Sequence, residues 1–239
     1  MNFELTMNIA IIAAGGRGTR MGSHRPKQFL ELGGAPVIIH TLKRFEQCGA
    51  ISQVVVVLPA ADAAGFIALA DKHRIKKLTR VVPGGATRAE SVFRGLQAVR
   101  AATAGIIAVH DGVRPFVTPD EIDRTVRAAE EHGAAILVAP AVDTIKEVAD
   151  GRVTRTLARA TLRHALTPQC FRYDLLRRAY ESAIAARVEA TDDSALVERL
   201  GVSVVIVEGD ARNIKITRPE DLAMAELLLR EMEAGTNSS

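Results

Sequence analysis

A chain of 239 residues with 48% hydrophobic residues can bury a substantial core, which excludes a disordered polymer. Its net charge of +3 and pI near 9.1 reflect a mild excess of Lys and Arg without a basic tail, so no nucleic-acid partner is expected. No apolar run approaches the ~20 residues that span a bilayer. The N-terminus lacks a signal peptide's basic start and cleavage site, and Cys48 and Cys170 show no metal-ligand spacing. A cytoplasmic location with no membrane partner is the expectation.

The first expected strand is Asn8–Ala13, and AAGGRGTRMGSHRPKQF follows directly, from Ala13 to Phe29. The loop holds Gly15, Gly16, Gly18 and Gly22 with Arg17, Arg20, Arg25 and Lys27, and no acid occurs between Leu5 and Leu30. Glycines let a backbone approach a ligand and point several N–H groups at it, and clustered cations call for an anion. Ligands of doubly wound sheets sit beyond the carboxyl ends of strands, where this loop lies, so a polyphosphate is the natural guest. A Walker A loop is excluded because Gln28 follows Lys27. A dinucleotide fingerprint is excluded because Met21 stands where its third glycine belongs.

Pro36 is expected to open a helix with Ile38, Leu42 and Phe45 on one face, closed by Gly49. Further strands are expected at Gln53–Leu58, Leu78–Val82, Ile106–His110, Ala134–Ala139 and Ser203–Glu208, apolar on both faces as strands between helix layers are. Three Thr-x-x-Glu capping boxes punctuate the helices: Thr87 with Glu90, Thr118 with Glu121, and Thr217 with Glu220. Pro119 follows Thr118, and Gly133 closes that helix. The alternation predicts one α/β domain over residues 1–239, built on a doubly wound, mostly parallel sheet. Residues 141–160 break the rhythm. Within Thr144–Leu157, Asp150-Gly151 suits a type I′ hairpin turn that sets Val148 opposite Val153. Neither face of this projecting β-arm is apolar enough for a core, and an isolated hairpin is marginal in water. The arm is expected to lean on a second copy of the chain; the other reading is a surface hairpin folded onto its own domain.

AAGGRGTRMG followed by PKQF resembles the signature of nucleotidyltransferases that join a sugar- or polyol-phosphate to an NTP. Together with VHDGVRPF, VDTIKE, ALTPQCF, ATDDSALVE and EGDARNIKITRPEDLA, in this order and spacing, it resembles the 2-C-methyl-D-erythritol 4-phosphate cytidylyltransferase family of the non-mevalonate isoprenoid pathway. The resemblance runs from about Asn8 to Leu229. Two departures stand out: the first loop is one residue longer than the family's Ala-Ala-Gly-x-Gly-x-Arg-Met, and Ala86 stands where the family often has an acid.

The resemblance implies a Rossmann-like nucleotidyltransferase fold and transfer of a cytidylyl group from CTP to the alcohol phosphate, with release of pyrophosphate. It implies that Arg20 and Lys27 hold the CTP phosphates and the transition state, and that Lys215 approaches from the other side. Mg²⁺ is the implied cofactor, carried mainly on the CTP phosphates with Asp111 as a possible contact. Ala13, Ala14, Gly15, Gly16, Gly18, Gly85 and Ser91 are matched to the nucleotide, and Asp111 and Gly112 to the ribose side. Arg114 and Thr167 are matched to the alcohol phosphate. Thr144 and Arg159 reach a partner's site in a homodimer, and Thr191 contacts substrate or caps a helix running to Leu200. Two alternatives stand beside this reading: a ribitol-5-phosphate cytidylyltransferase and a non-catalytic nucleotide-binding module. No histidine is assigned a catalytic role.

Overall fold

The computed structural model describes residues 6–16, 26–188 and 191–236. Strand β1 (Met7–Ala13) lies inside the central sheet, and its side chains are buried on both faces. A turn of 3₁₀ helix at Lys27–Phe29 and the short β2 (Glu31–Leu32) and β3 (Ala35–Pro36) lead into α1 (Val37–Gln47). Then follow β4 (Gln53–Leu58), α2 (Ala60–Lys72), β5 (Leu78–Pro83), α3 (Arg88–Gln97), β6 (Ala104–Asp111), α4 (Pro119–His132) and β7 (Ala134–Pro140). A separate hairpin, β8 (Lys146–Ala149) and β9 (Arg152–Thr156), precedes β10 (Arg163–Arg172) and α5 (Tyr173–Ala185). Helix α6 (Asp193–Glu198), β11 (Val205–Glu208) and α7 (Pro219–Thr236) complete the chain.

The seven-stranded sheet has the order β11-β7-β10-β6-β1-β4-β5. Its pairs are parallel except those of β10, which runs antiparallel between β6 and β7. The sheet is therefore mixed and dominated by parallel pairs. Strand β10 is absent from the strands expected above. Its segment, RHALTPQCFR, contains Pro168, and proline inside a run argues against a central strand. The structure accommodates it where the register with β7 breaks, between Ala165 and Gln169.

Alternation along each strand divides the core into two layers. Ala10, Ile12, Val54 and Val56 pack against Ile38, Leu42 and Phe45 of α1, Phe66 of α2 and Ile122 of α4. Ile9, Ile11, Val55 and Val57 pack against Val92 and Leu96 of α3, Leu176 of α5 and Leu196 of α6. Each fully buried side chain of this size contributes roughly 1.5–3 kcal/mol of transfer free energy. A smaller cluster, with Leu32, Val113, Phe116, Ile216 and Leu229, seats α7.

The helix starts differ in detail from the three expected boxes. Thr118 and Glu121 form the complete reciprocal pair. Thr87 Oγ1 accepts from the Glu90 N–H at 3.1 Å, but the Glu90 carboxylate accepts from Ala86 N–H instead. At Thr217 the partner is Asp221, not Glu220: Asp221 Oδ2 accepts from the Thr217 N–H and hydroxyl, both at 2.8 Å. The expected hairpin is present. Asp150 and Gly151 both have positive φ, at 49° and 74°, Val148 faces Val153, and every residue of both strands is exposed.

Candidate active site

Strands β1, β4, β5 and β6 are parallel, so their carboxyl ends share one edge of the sheet. A cleft of about 540 Å³ opens there. Its floor comes from the loops after β1 and β5. The Ala14 N–H donates to Val57 O at 2.9 Å and the Gly84 N–H to Leu58 O at 2.7 Å, which carries both loops past the strand ends. Ser91, nearly buried on α3, fixes the second loop: its hydroxyl accepts from the Gly85 N–H at 3.0 Å and donates to Thr87 O at 2.9 Å. A Cβ on Gly15 would stand 3.1 Å from Ser91 Oγ, so the two loops meet closely and glycine suits that contact. The Ser91 hydroxyl is thus already engaged in shaping the loop.

Ala13, Ala14, Gly15, Gly16, Lys27, Gly85, Ser91, Asp111 and Lys215, from separate parts of the sequence, line this one cleft. Gly18 and Arg20 lie outside the described residues, as do Arg17 and Arg25. Gly112 does not line the cleft. It is buried, and a Cβ there would stand 2.8 Å from the Ala14 Cβ, so its small size serves packing against the β1 loop. Thr144, Arg159 and Thr191 are exposed and off the cleft wall. Arg159 donates to Val142 O at 2.8 Å at the base of the hairpin. The helix cap next to Thr191 is Asp192, whose carboxylate accepts from the Ala195 N–H at 3.0 Å, and the helix ends at Glu198 rather than Leu200.

Asp111, at the end of β6, is the one carboxylate among the described residues lining the cleft. Three cations surround it. Arg88 Nε lies 3.0 Å from Oδ1, Lys215 Nζ 2.8 Å from Oδ2, and Arg114 Nε 3.5 Å from Oδ2. Burial alone would raise this carboxyl, but Arg88, Lys215 and Arg114 together hold it well below the usual range. Arg114 is turned inward: its Nη1 donates to Asn213 O at 2.6 Å, and burial lowers its guanidinium.

Behind Asp111, Thr167 is buried. Its Oγ1 accepts from the Asp111 N–H at 3.2 Å and lies 2.9 Å from His110 Nδ1, while His110 Nε2 lies 3.1 Å from Arg114 O. A carbonyl can only accept, so Nε2 carries the proton and Nδ1 accepts from the threonine hydroxyl. Asn213 Nδ2 donates to Thr167 O at 2.9 Å. Arg114 and Thr167 therefore support Asp111 from beneath.

Sequence reasoning missed Arg88, which lines the cleft and joins Asp111 to Asp193. A signal was present. Arg88 stands at the first position of α3, where the helix dipole disfavours a cation unless carboxylates hold it. Gln28 was missed as a site residue too; it is fully buried at the cleft, and neither end of its amide has a hydrogen-bond partner among the described residues.

A mostly parallel sheet with a glycine-floored, cation-walled cleft at its carboxyl edge defines a Rossmann-like α/β nucleotidyltransferase. The sequence profile of 2-C-methyl-D-erythritol 4-phosphate cytidylyltransferase matches residues 8–231. The chain is 47% identical over 227 residues to the protein of that name from Geobacter metallireducens, covering 93% of this chain and 97% of the relative. It is 44% identical to the one from Pelotomaculum thermopropionicum, covering 92% and 93%. The crystal structure of 4-diphosphocytidyl-2C-methyl-D-erythritol synthase from Anaerococcus prevotii superposes with a TM-score of 0.85 at 31% identity, covering 94% of this chain and 96% of that one. The Thermus thermophilus cytidylyltransferase gives 0.77 at 35% identity, covering 95% and 100%. The chain belongs to the 2-C-methyl-D-erythritol 4-phosphate cytidylyltransferase family.

Proposed function

We propose that this protein transfers the cytidylyl group of CTP to 2-C-methyl-D-erythritol 4-phosphate, forming the CDP-alcohol and pyrophosphate for isoprenoid precursor synthesis. The observation that carries the reading is the convergence of Lys27 and Lys215 on one glycine-floored cleft at the carboxyl edge of the sheet. A phosphate oxygen of the alcohol attacks the α-phosphorus of CTP in line. The new P–O bond forms as the bond to the β-phosphate breaks, and pyrophosphate leaves with the electron pair. The nucleophile is already an anion at neutral pH, so no general base is needed. The barrier is repulsion between anions and charge growing on the leaving group. Positioned cations lower it. Lys27 and Lys215 take these roles from the cleft walls, with Arg20 joining them by motif. The backbone of Ala13, Ala14 and Gly85 holds the base, and Gly15, Gly16 and Gly18 cradle the phosphates.

Mg²⁺ is the implied cofactor, and the donor set bears on how it would be held. Among the described residues no group of three or more His, Cys, Asp or Glu side chains gathers, and both oxygens of Asp111 already meet cations. This fits an ion carried mainly on the triphosphate with several waters, and Asp111 would join it only with the oxygen that Lys215 gives up. Such an ion would neutralise phosphate charge.

The proposed working unit is a homodimer. Val148 and Val153 are 58% and 60% exposed on opposite strands of the arm, with Val142 at its base 70% exposed. A second chain would cover this strip and receive Thr144 and Arg159, while Thr191, with Arg114 and Thr167 holding Asp111 from beneath, completes the alcohol-phosphate side. No described helix is long and apolar enough to cross a membrane, and a cytoplasmic location is proposed.

Pyrophosphate release from CTP, measured with Mg²⁺ and either alcohol phosphate, tests the reading. Release with methylerythritol phosphate is expected. Release with ribitol 5-phosphate alone would assign the other acceptor, and release with neither would leave a binding module.

A further inference from the structure

Among the described residues Asp111 meets three cations. The three are not equally fixed. Arg88 is held at both ends: Nε on Asp111 at 3.0 Å and Nη2 on Asp193 at 2.8 Å. Asp193 is itself immobilised. It is fully buried, it accepts from the Tyr180 hydroxyl, and its backbone N–H and that of Ser194 both donate to Gln169 Oε1 at 3.0 Å. Arg114 is tied to Asn213 O, and its side chain is 12% exposed. Lys215 is the loosest: its side chain is 37% exposed, and among the described residues its ammonium meets no carboxylate except Asp111.

On the proposed function, on which this step rests, the Lys215 ammonium must serve the triphosphate. It can do so only by giving up part of its hold on Asp111. A buried carboxylate that loses a partner is costly unless another cation stays. We infer that Arg88 is a positioning residue: anchored by Asp193, it keeps Asp111 neutralised, so that Lys215 is released to the bound triphosphate. Without Arg88, Asp111 would keep, among the described side chains other than Lys215, only the 3.5 Å contact with Arg114 and would hold Lys215 back.

The consequence is a specific coupling. Arg88 matters because Asp111 is charged, so its effect should vanish when that charge is removed. Arg88→Gln alone would strand the buried Asp193 charge and threaten the fold, so it is paired with Asp193→Asn, which leaves two neutral amides. The pair is measured in the native background and in Asp111→Asn, with steady-state CTP and methylerythritol phosphate kinetics. In the native background kcat should fall about a hundredfold, the typical loss of one transition-state contact, with the CTP KM within about threefold. In the Asp111→Asn background the same pair should change kcat less than about threefold, since contacting residues couple and independent ones add. Equal losses in both backgrounds, or a raised CTP KM with kcat kept, would overturn the inference while leaving the functional reading intact. No turnover by the native protein would overturn both.

Discussion

Asp111 and His110 are neighbours at the end of β6 with opposite electrostatic fates. Asp111 is kept charged by its cations, whereas burial brings the His110 imidazole down to about 4, against the pull of the Arg114 carbonyl and Asp111. Folded His110 stays neutral in a range where the unfolded chain takes up a proton, near pH 6.5. Its contribution to stability is therefore complete above that value and is lost as pH falls toward the folded one. Between pH 7 and pH 5 the linkage amounts to about 2 kcal/mol. Urea midpoints at the two pH values should show that loss in the native protein and a clearly smaller one in His110→Gln. Some slope should remain, because burial also lowers His40 and His73. Identical slopes in the two proteins would exclude His110 as the source. At this scale the sequence spoke unevenly. The glycines, Lys27 and Asp111 were legible because their chemistry is local to a strand end. Arg88 and Asp193 were not, because their meaning lies in a pairing across 105 positions of chain.

Among the elements, the hairpin of β8 and β9 was legible to the level of register, since Asp150-Gly151 dictates both the turn and the Val148–Val153 pair. Strand β10 was hidden by Pro168, and only its two neighbours in the sheet explain why the segment is extended. The arm's exposure carries a prediction. Replacing Val148 and Val153 together by Lys removes two side chains that a second chain would bury, at a cost of about 2–4 kcal/mol per arm, since each is about 60% exposed. Light scattering should show dimer mass for the native protein and monomer mass for the variant, with the thermal midpoint of the variant's fold little changed because both positions are already exposed within the chain. A native protein of monomer mass, or a variant that remains dimeric, would assign the arm no role in assembly.

Across the whole molecule, the layered sheet was readable from alternation of β and α patterns, because buried strands and amphipathic helices leave distinct periodicities. The sheet does more than support the site. Parallel β1, β4, β5 and β6 end together, and three of them supply the cleft: glycines follow β1 and β5, Asp111 ends β6, and Lys215 arrives from the segment before α7. On the proposed function, this convergence grips a triphosphate between cations. A crystal structure of the protein with CTP and Mg²⁺ tests it most directly. The triphosphate should lie between the ammonium groups of Lys27 and Lys215, with Lys215 drawn off Asp111 and Arg88 still on it. Nucleotide bound elsewhere, with Lys215 unmoved and Lys27 out of reach of any phosphate, would contradict it.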